Sequence, residues 1–119
     1  MKKYFIDHNA PTKQVINKIN KLGGQTLIVV KNKNILRGIL SSGDLRKAIV
    51  NKNILNKNIN KIFNKKPKYI FSDEVKRNLS YIKFKTKMLN ILPVVDRKTH
   101  KITDVLTYEK LEKKLQLKL

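Results

Sequence analysis

One succession of elements occurs twice in this chain, and that recurrence constrains the fold more than any single motif. In the first occurrence Ala10-Pro11-Thr12 precedes Val15, Ile16, Ile19 and Leu22, which share a helical face, and Gly23-Gly24 ends the helix. Leu27-Ile28-Val29-Val30 is an apolar run of strand length, Lys31 to Asn34 is a polar turn, and Ile35 to Leu40 reads as the returning strand of a hairpin. A helix over Asp44–Val50 follows, with Leu45, Ala48 and Ile49 inward. In the second occurrence Val75, Leu79 and Ile82 mark a helix and Ile91 to Asp96 a strand. Arg97 to Lys101 is a turn, Ile102 to Thr107 the return strand, and Glu109 to Leu115 a closing helix. Leu27–Lys31 aligns with Leu92–Asp96, and Gly38–Leu45 with Asp104–Leu111. The two copies stand about 65 residues apart, and neither is large enough to bury its own sheet face, so they are expected to pack on each other.

The organisation expected is a first repeat over 1–57, a connector over 58–68 and a second repeat over 69–119. Apolar positions Ile54, Leu55, Ile59, Ile62 and Phe63 argue against a disordered connector and suggest a short helix near Asn58–Asn64, stopped before Pro67. Tyr69-Ile70-Phe71 reads as a strand. Tyr81 and Phe84 suit the apolar side of a helix, and Met88 the core.

Composition narrows the chemistry. The 119 residues include no cysteine, which removes disulfides and thiolate–zinc frameworks. His8 and His100 are far apart without a nearby ligand cluster. The eight acids do not pair in sequence with a histidine or nucleophile as a catalytic site requires; Asp73-Glu74 reads as a helix start and Asp96 as a turn residue. The opening residues turn polar too soon for a signal peptide, and no apolar run approaches the ~18 residues that cross a bilayer, so the expectation is a cytoplasmic protein without membrane association. A formal charge of +20 invites a nucleic-acid reading. Only four of the 28 basic residues are arginines, however, and the lysines are scattered along the whole chain. A solvated coat with weak, salt-sensitive adhesion to polyanions fits better than a specific DNA or RNA surface.

The segment richest in chemistry is Gly38-Ile39-Leu40-Ser41-Ser42-Gly43-Asp44-Leu45-Arg46. A strand there meets a helix start, where unpaired N–H groups attract phosphate, and a neighbouring carboxylate can accept hydrogen bonds from a sugar diol. Ser41-x-x-Asp44 is equally a capping box, worth about 1 kcal/mol of helix stability and no function.

With its partner Leu92-Pro93-Val94-Val95-Asp96 in the second copy, Gly38–Leu45 resembles a tandem pair of CBS domains, the regulatory repeats named after cystathionine β-synthase and called a Bateman module. The resemblance covers residues 4 to 112. It implies an α/β (α+β) fold of two pseudo-symmetric β-α-β-β-α repeats packed sheet to sheet, and a non-catalytic, regulatory chain binding an adenine nucleotide between the repeats. Carried over, Ser41 and Asp44 would hold the ribose, with Ser42 beside them in the nucleotide site, and Arg46 reach a phosphate; adenine would lie against Ile6 and Gln25, Thr26 and Leu27, mostly through backbone contacts. In the second copy Thr107 holds the hydroxyl position, but Lys110 stands where the acid should be and Asp104 replaces the glycine. A lysine cannot accept a diol's hydrogen bonds. Asn90, Ile91 and Pro93 complete the implied second pocket. The run Ser42–Ile49 is similar to pairs attached to sugar-1-phosphate nucleotidyltransferases or to arabinose-5-phosphate isomerases. The early start of the pattern favours the first parent, with the catalytic domain outside this chain. The rival reading is a structural dimerisation module, a homodimer formed through exposed apolar positions Leu45, Ile49, Leu111 and Leu115 of the closing helices.

Overall fold

Both copies fold into the same strand–helix–hairpin–helix succession in the computed structural model, which describes residues 2–24, 26–52, 57–79, 81–82 and 91–116. The chain divides into two units, Met1–Pro67 and Lys68–Leu119. Each carries a three-stranded sheet and helices, the mixed α+β fold expected from the repeat.

In the first unit β1 (Phe5–Asp7) pairs parallel to β2 (Leu27–Lys31), and β2 pairs antiparallel to β3 (Ile35–Leu40). Helix α1 (Thr12–Lys21) makes the crossover from β1 to β2, as a parallel pair requires. Its apolar stripe Val15 and Ile19 packs with Ile6, Leu27, Val29 and Leu40 into one cluster. Gly23 and Gly24, both at positive φ, turn the chain out of α1 where a side chain would strain the backbone. The Lys18 ammonium, its pKa lowered by partial burial, reaches back along α1 to the carbonyl of Phe5. Helix α2 (Ser42–Lys52) adds Leu45 and Ala48 to the buried set.

Residues 57–64 do not form the short helix expected near Asn58–Asn64. They run as turns and two isolated bridges that clasp the first unit. The Thr12 hydroxyl donates to the Lys57 carbonyl at 2.6 Å, the Ile59 N–H to the Ala10 carbonyl at 3.0 Å, and Ile59 is wholly buried in the core. At the far end Ile39 and Asn64 exchange both backbone bonds, Ile39 N–H to Asn64 O at 3.0 Å and Asn64 N–H to Ile39 O at 2.9 Å. The spacing of Ile59, Ile62 and Phe63 suits a helix, yet the open edge of β3 offers the backbone partners that a two-turn helix would have to find within itself. The stretch read as a connector is thus integral to the first unit as far as Asn64.

The second unit repeats the topology. Strand β4 (Ile70–Phe71) lies parallel to β5 (Ile91–Val95), which pairs antiparallel with β6 (Ile102–Thr107), and α3 (Tyr108–Gln116) follows. Both hairpins carry a register shift at the equivalent step, Val29/Val30 and Val94/Val95. Val75, Leu79 and Ile82 pack with Ile70, Leu92, Val94, Leu106 and Leu111. The segment after β4 begins as two short 3-10 turns, Ser72–Glu74 and Lys76–Asn78, a tighter start than the single helix expected. Arg97 clamps that start to the β5–β6 hairpin. Its guanidinium pairs with Asp73 at 2.9 and 3.0 Å, bonds Glu74, and stacks 4.1 Å from the Phe71 ring centroid.

Two further expectations are corrected. Leu45 and Leu111, named as exposed helix positions for a homodimer, are buried in the cores of their own units, and Ile49 packs against the first core; the Leu115 side chain lies outside the described set. Tyr81 is 57% exposed and not on an apolar face, because Leu79 and Ile82 already take the inward positions of that turn. Phe84 and Met88 lie outside the described residues.

Candidate functional site

The first-unit site forms where β3 delivers the chain to α2. Leu40 anchors the strand end in the core, and Ser41 follows as the last residue before the helix. The Asp44 N–H donates to Ser41 Oγ at 3.0 Å, and the Ser41 N–H donates back to Asp44 Oδ2 at a long 3.4 Å. The capping box read from Ser41-x-x-Asp44 therefore closes. It uses one carboxylate oxygen only. Among the described residues no donor reaches Asp44 Oδ1, and no acceptor takes the N–H groups of Ser42 and Gly43. The cap and a ligand cradle are compatible at this helix start, since the cap orients the carboxylate and leaves its outer oxygen open.

The other residues named for this site are only partly gathered there. The Leu27–Leu40 register, extended one step, sets Thr26 opposite Ser41. Ile6 and Leu27 have core side chains, 4% and 0% exposed, so they can offer a ligand backbone groups only. Arg46 is exposed on α2, but two positions from Asp44 means about 200° around a helix, so the two side chains leave from opposite sides. Gln25 lies outside the described residues.

In the second unit the Lys110 N–H donates to Thr107 Oγ1 at 3.2 Å, reproducing the serine cap. The Lys110 ammonium donates to Asp104 Oδ1 at 2.7 Å and approaches the Val105 carbonyl at 3.4 Å. Asp104 Oδ1 also accepts the Val105 N–H at 2.8 Å. Ile91 is buried opposite Thr107 in the register and Pro93 is buried opposite Val105, so neither side chain is open to a ligand. Asn90 lies outside the described residues. A cavity of about 340 Å³ opens elsewhere in this unit, lined by Lys68, Tyr69, Glu74, Asn78, Tyr81 and Leu92 among others. Neither Thr107 nor Lys110 borders it.

The sequence reading missed the Phe63–Asn64 crossing over Gly38 and the ion pair between Asp104 and Lys110. The signal for both was the exchange of Gly38 and Asp44 for Asp104 and Lys110 between otherwise matching repeats. His8 bonds the neighbouring Asn9 amide, and the His100 ring packs edge-on against Tyr69 at 5.1 Å. No group of three or more metal-ligating side chains occurs among the described residues, and no helix among them is long and apolar enough to cross a membrane.

Comparison with known proteins agrees with this architecture. Residues 1–51 match the family model of the CBS domain. No curated protein matches the chain. The whole chain superposes on Staphylococcus aureus OpuCA with a TM-score of 0.77 at 18% identity, covering 100% of this chain and 97% of that one. The CBS-pair protein CBSX2 of Arabidopsis thaliana gives a TM-score of 0.74 at 18% identity over 96% and 86%. The CBS domain pair of protein MJ0100, solved with 5′-methylthioadenosine and S-adenosyl-L-methionine, gives 0.66 at 23% identity over 93% and 89%. Residues 1–51 thus match a CBS domain, and the chain as a whole has the fold of a tandem CBS pair.

Proposed function

We propose that the chain is a non-catalytic regulatory module that binds an adenine nucleotide at the junction of β3 and α2, with Asp44 Oδ1 accepting hydrogen bonds from the ribose diol. The observation that carries this reading is the capped carboxylate, held in place through Oδ2 while Oδ1 meets no donor among the described residues. Ser42 and Gly43 present N–H groups beside it, suited to a phosphate or a polar edge of the ligand. A pair of the same fold, that of MJ0100, has been solved with two adenosine-containing ligands, which makes the ligand class reasonable here. The second repeat does not take a diol in the same way, because Lys110 offers only donors. Occupancy of one site per chain would then set the output of an attached catalytic domain, for which the likeness of Ser42–Ile49 suggests a sugar-1-phosphate nucleotidyltransferase. Regulation of that kind requires that the nucleotide bind the two functional states with different affinity.

Thermal unfolding with AMP, ADP, ATP and a sugar nucleotide tests the assignment. A ligand at 100 times its dissociation constant adds about 2.7 kcal/mol. Asp44→Ala should abolish the shift and Lys110→Ala should leave it whole. An equal shift in Asp44→Ala would place the ribose elsewhere. No shift with any of the four would leave the structural dimerisation module as the better reading, to be checked by sizing chromatography.

A further inference from the structure

The two repeats meet the same backbone requirement by different means. Strand β3 is the outer strand of its sheet, and the outward N–H and C=O of Ile39 are satisfied by the backbone of Asn64. Strand β6 is the outer strand of the second sheet, and Val105 is the position equivalent to Ile39. Ile39 stands opposite Ile28 and two residues before the capping Ser41; Val105 stands opposite Pro93 and two residues before the capping Thr107. Pro93 has no N–H to give, in keeping with a pair whose backbone groups point away from each other. The outward N–H of Val105 goes to the Asp104 carboxylate at 2.8 Å, and its outward C=O is approached by the Lys110 ammonium at 3.4 Å.

We infer that the Asp104–Lys110 ion pair is a side-chain replacement for the crossing segment: the carboxylate takes the place of the Asn64 carbonyl and the ammonium that of the Asn64 N–H. The geometry has one acceptor and one donor, joined to each other at 2.7 Å, set against one donor and one acceptor of the strand edge. It accounts for both departures of the second repeat at once. A carboxylate can replace the glycine because, among the described residues, no backbone crosses there, and a lysine replaces the acid because the strand carbonyl needs a donor. Charged side chains lying over an outer strand also discourage its pairing with another chain. The inference does not rest on nucleotide binding.

Polarity separates this role from simple charge attraction. The exchange Asp104→Lys with Lys110→Asp keeps the ion pair but sets donor against donor and acceptor against acceptor. The pair Asp104→Asn with Lys110→Gln removes the charges but keeps an acceptor for Val105 N–H and a donor for its carbonyl. Amide hydrogen exchange followed by NMR should show Val105 exchanging roughly tenfold faster or more in the charge-reversed chain and in Asp104→Ala with Lys110→Ala. It should stay near the parent rate in the Asn/Gln chain. Ile39, bonded to Asn64, serves as an internal reference that none of these changes moves. Parent-like protection of Val105 in either the charge-reversed or the double-alanine chain would overturn the assignment.

Discussion

The carbonyl of Asn64 lies in the space into which a Cβ on Gly38 would project, and the edge of the Phe63 ring lies there beside it, Cε2 being 2.8 Å from where that Cβ would stand. The glycine is required by this crossing, not by an unusual backbone angle. Gly38→Ala must push backbone, which cannot rotate out of the way as a flexible side chain can. The cost is expected at about 2–3 kcal/mol, in the range of overpacking a core, and should appear as lost protection of the Ile39 and Asn64 amides. Asp104→Ala, at the matching position of the second repeat, should cost less and leave those two amides unchanged. Urea unfolding of both variants, followed with residue-resolved exchange, checks the contrast.

The hydroxyl caps make a symmetric pair. Ser41 Oγ accepts the Asp44 N–H at 3.0 Å and Thr107 Oγ1 the Lys110 N–H at 3.2 Å. Ser41→Ala and Thr107→Ala should each cost about 1 kcal/mol. Ser41→Ala should in addition weaken any ligand that uses Asp44, because the carboxylate loses the partner that fixes its helix start. A Thr107→Ala chain that binds nucleotide more weakly than the parent would argue against a single site in the first repeat.

The duplication, both hairpins, α1 with its glycine stop, and the cap at Ser41 were legible because each depends on neighbours in sequence. Residues 58–64 read as a helix because Ile59, Ile62 and Phe63 have helical spacing, whereas the deciding contacts, with Ala10, Thr12 and Ile39, span some 25 to 49 residues along the chain. The homodimer reading needs Leu45 and Leu111 on the surface, whereas periodicity alone already sets Leu45 inward. The inward face of a helix on a small sheet is fixed by the turn that launches it, and here the cap points both leucines into their own cores. For the site, the motif located Asp44 correctly at a helix start but could not tell which carboxylate oxygen the cap would take. Ile6 and Leu27 were named for backbone contacts, and the register shows why only those remain, since both side chains lie in the core.

The β2–β3 turn offers a stabilising change. Lys33 holds φ at 77° and Asn32 at 48°, and a lysine in the left-handed region costs about 1 kcal/mol relative to glycine. Lys33 is exposed and its side chain makes no hydrogen bond or ion pair among the described residues. Lys33→Gly should therefore raise stability by up to about 1 kcal/mol, less the extra freedom glycine has in the unfolded chain. A lowered midpoint in thermal unfolding would show that the turn is not strained.

Acid should destabilise the second unit through Asp96 and Asp73. Asp96 is held below the ordinary carboxylate range by the Thr99 N–H and hydroxyl and by the Lys98 N–H. Asp73 is lowered chiefly by its hydrogen bonds from Arg97, with added attraction from Arg97 and Arg77. A carboxyl whose pKa is lower folded than unfolded binds fewer protons in the native state. Its contribution is complete above the unfolded value of about 3.9 and disappears as pH falls through the folded value. Melting temperature measured from pH 7 down to 2 should therefore hold until about pH 4 and then drop. Asp96→Asn should shorten that acid limb, because an amide does not titrate. Salt at 1 M should weaken the part due to Asp73, an exposed ion pair, and spare the part due to Asp96, whose main partners are short-range hydrogen bonds. An acid limb as steep in Asp96→Asn as in the parent would mean that the turn carboxylate is not a source of the stability lost in acid.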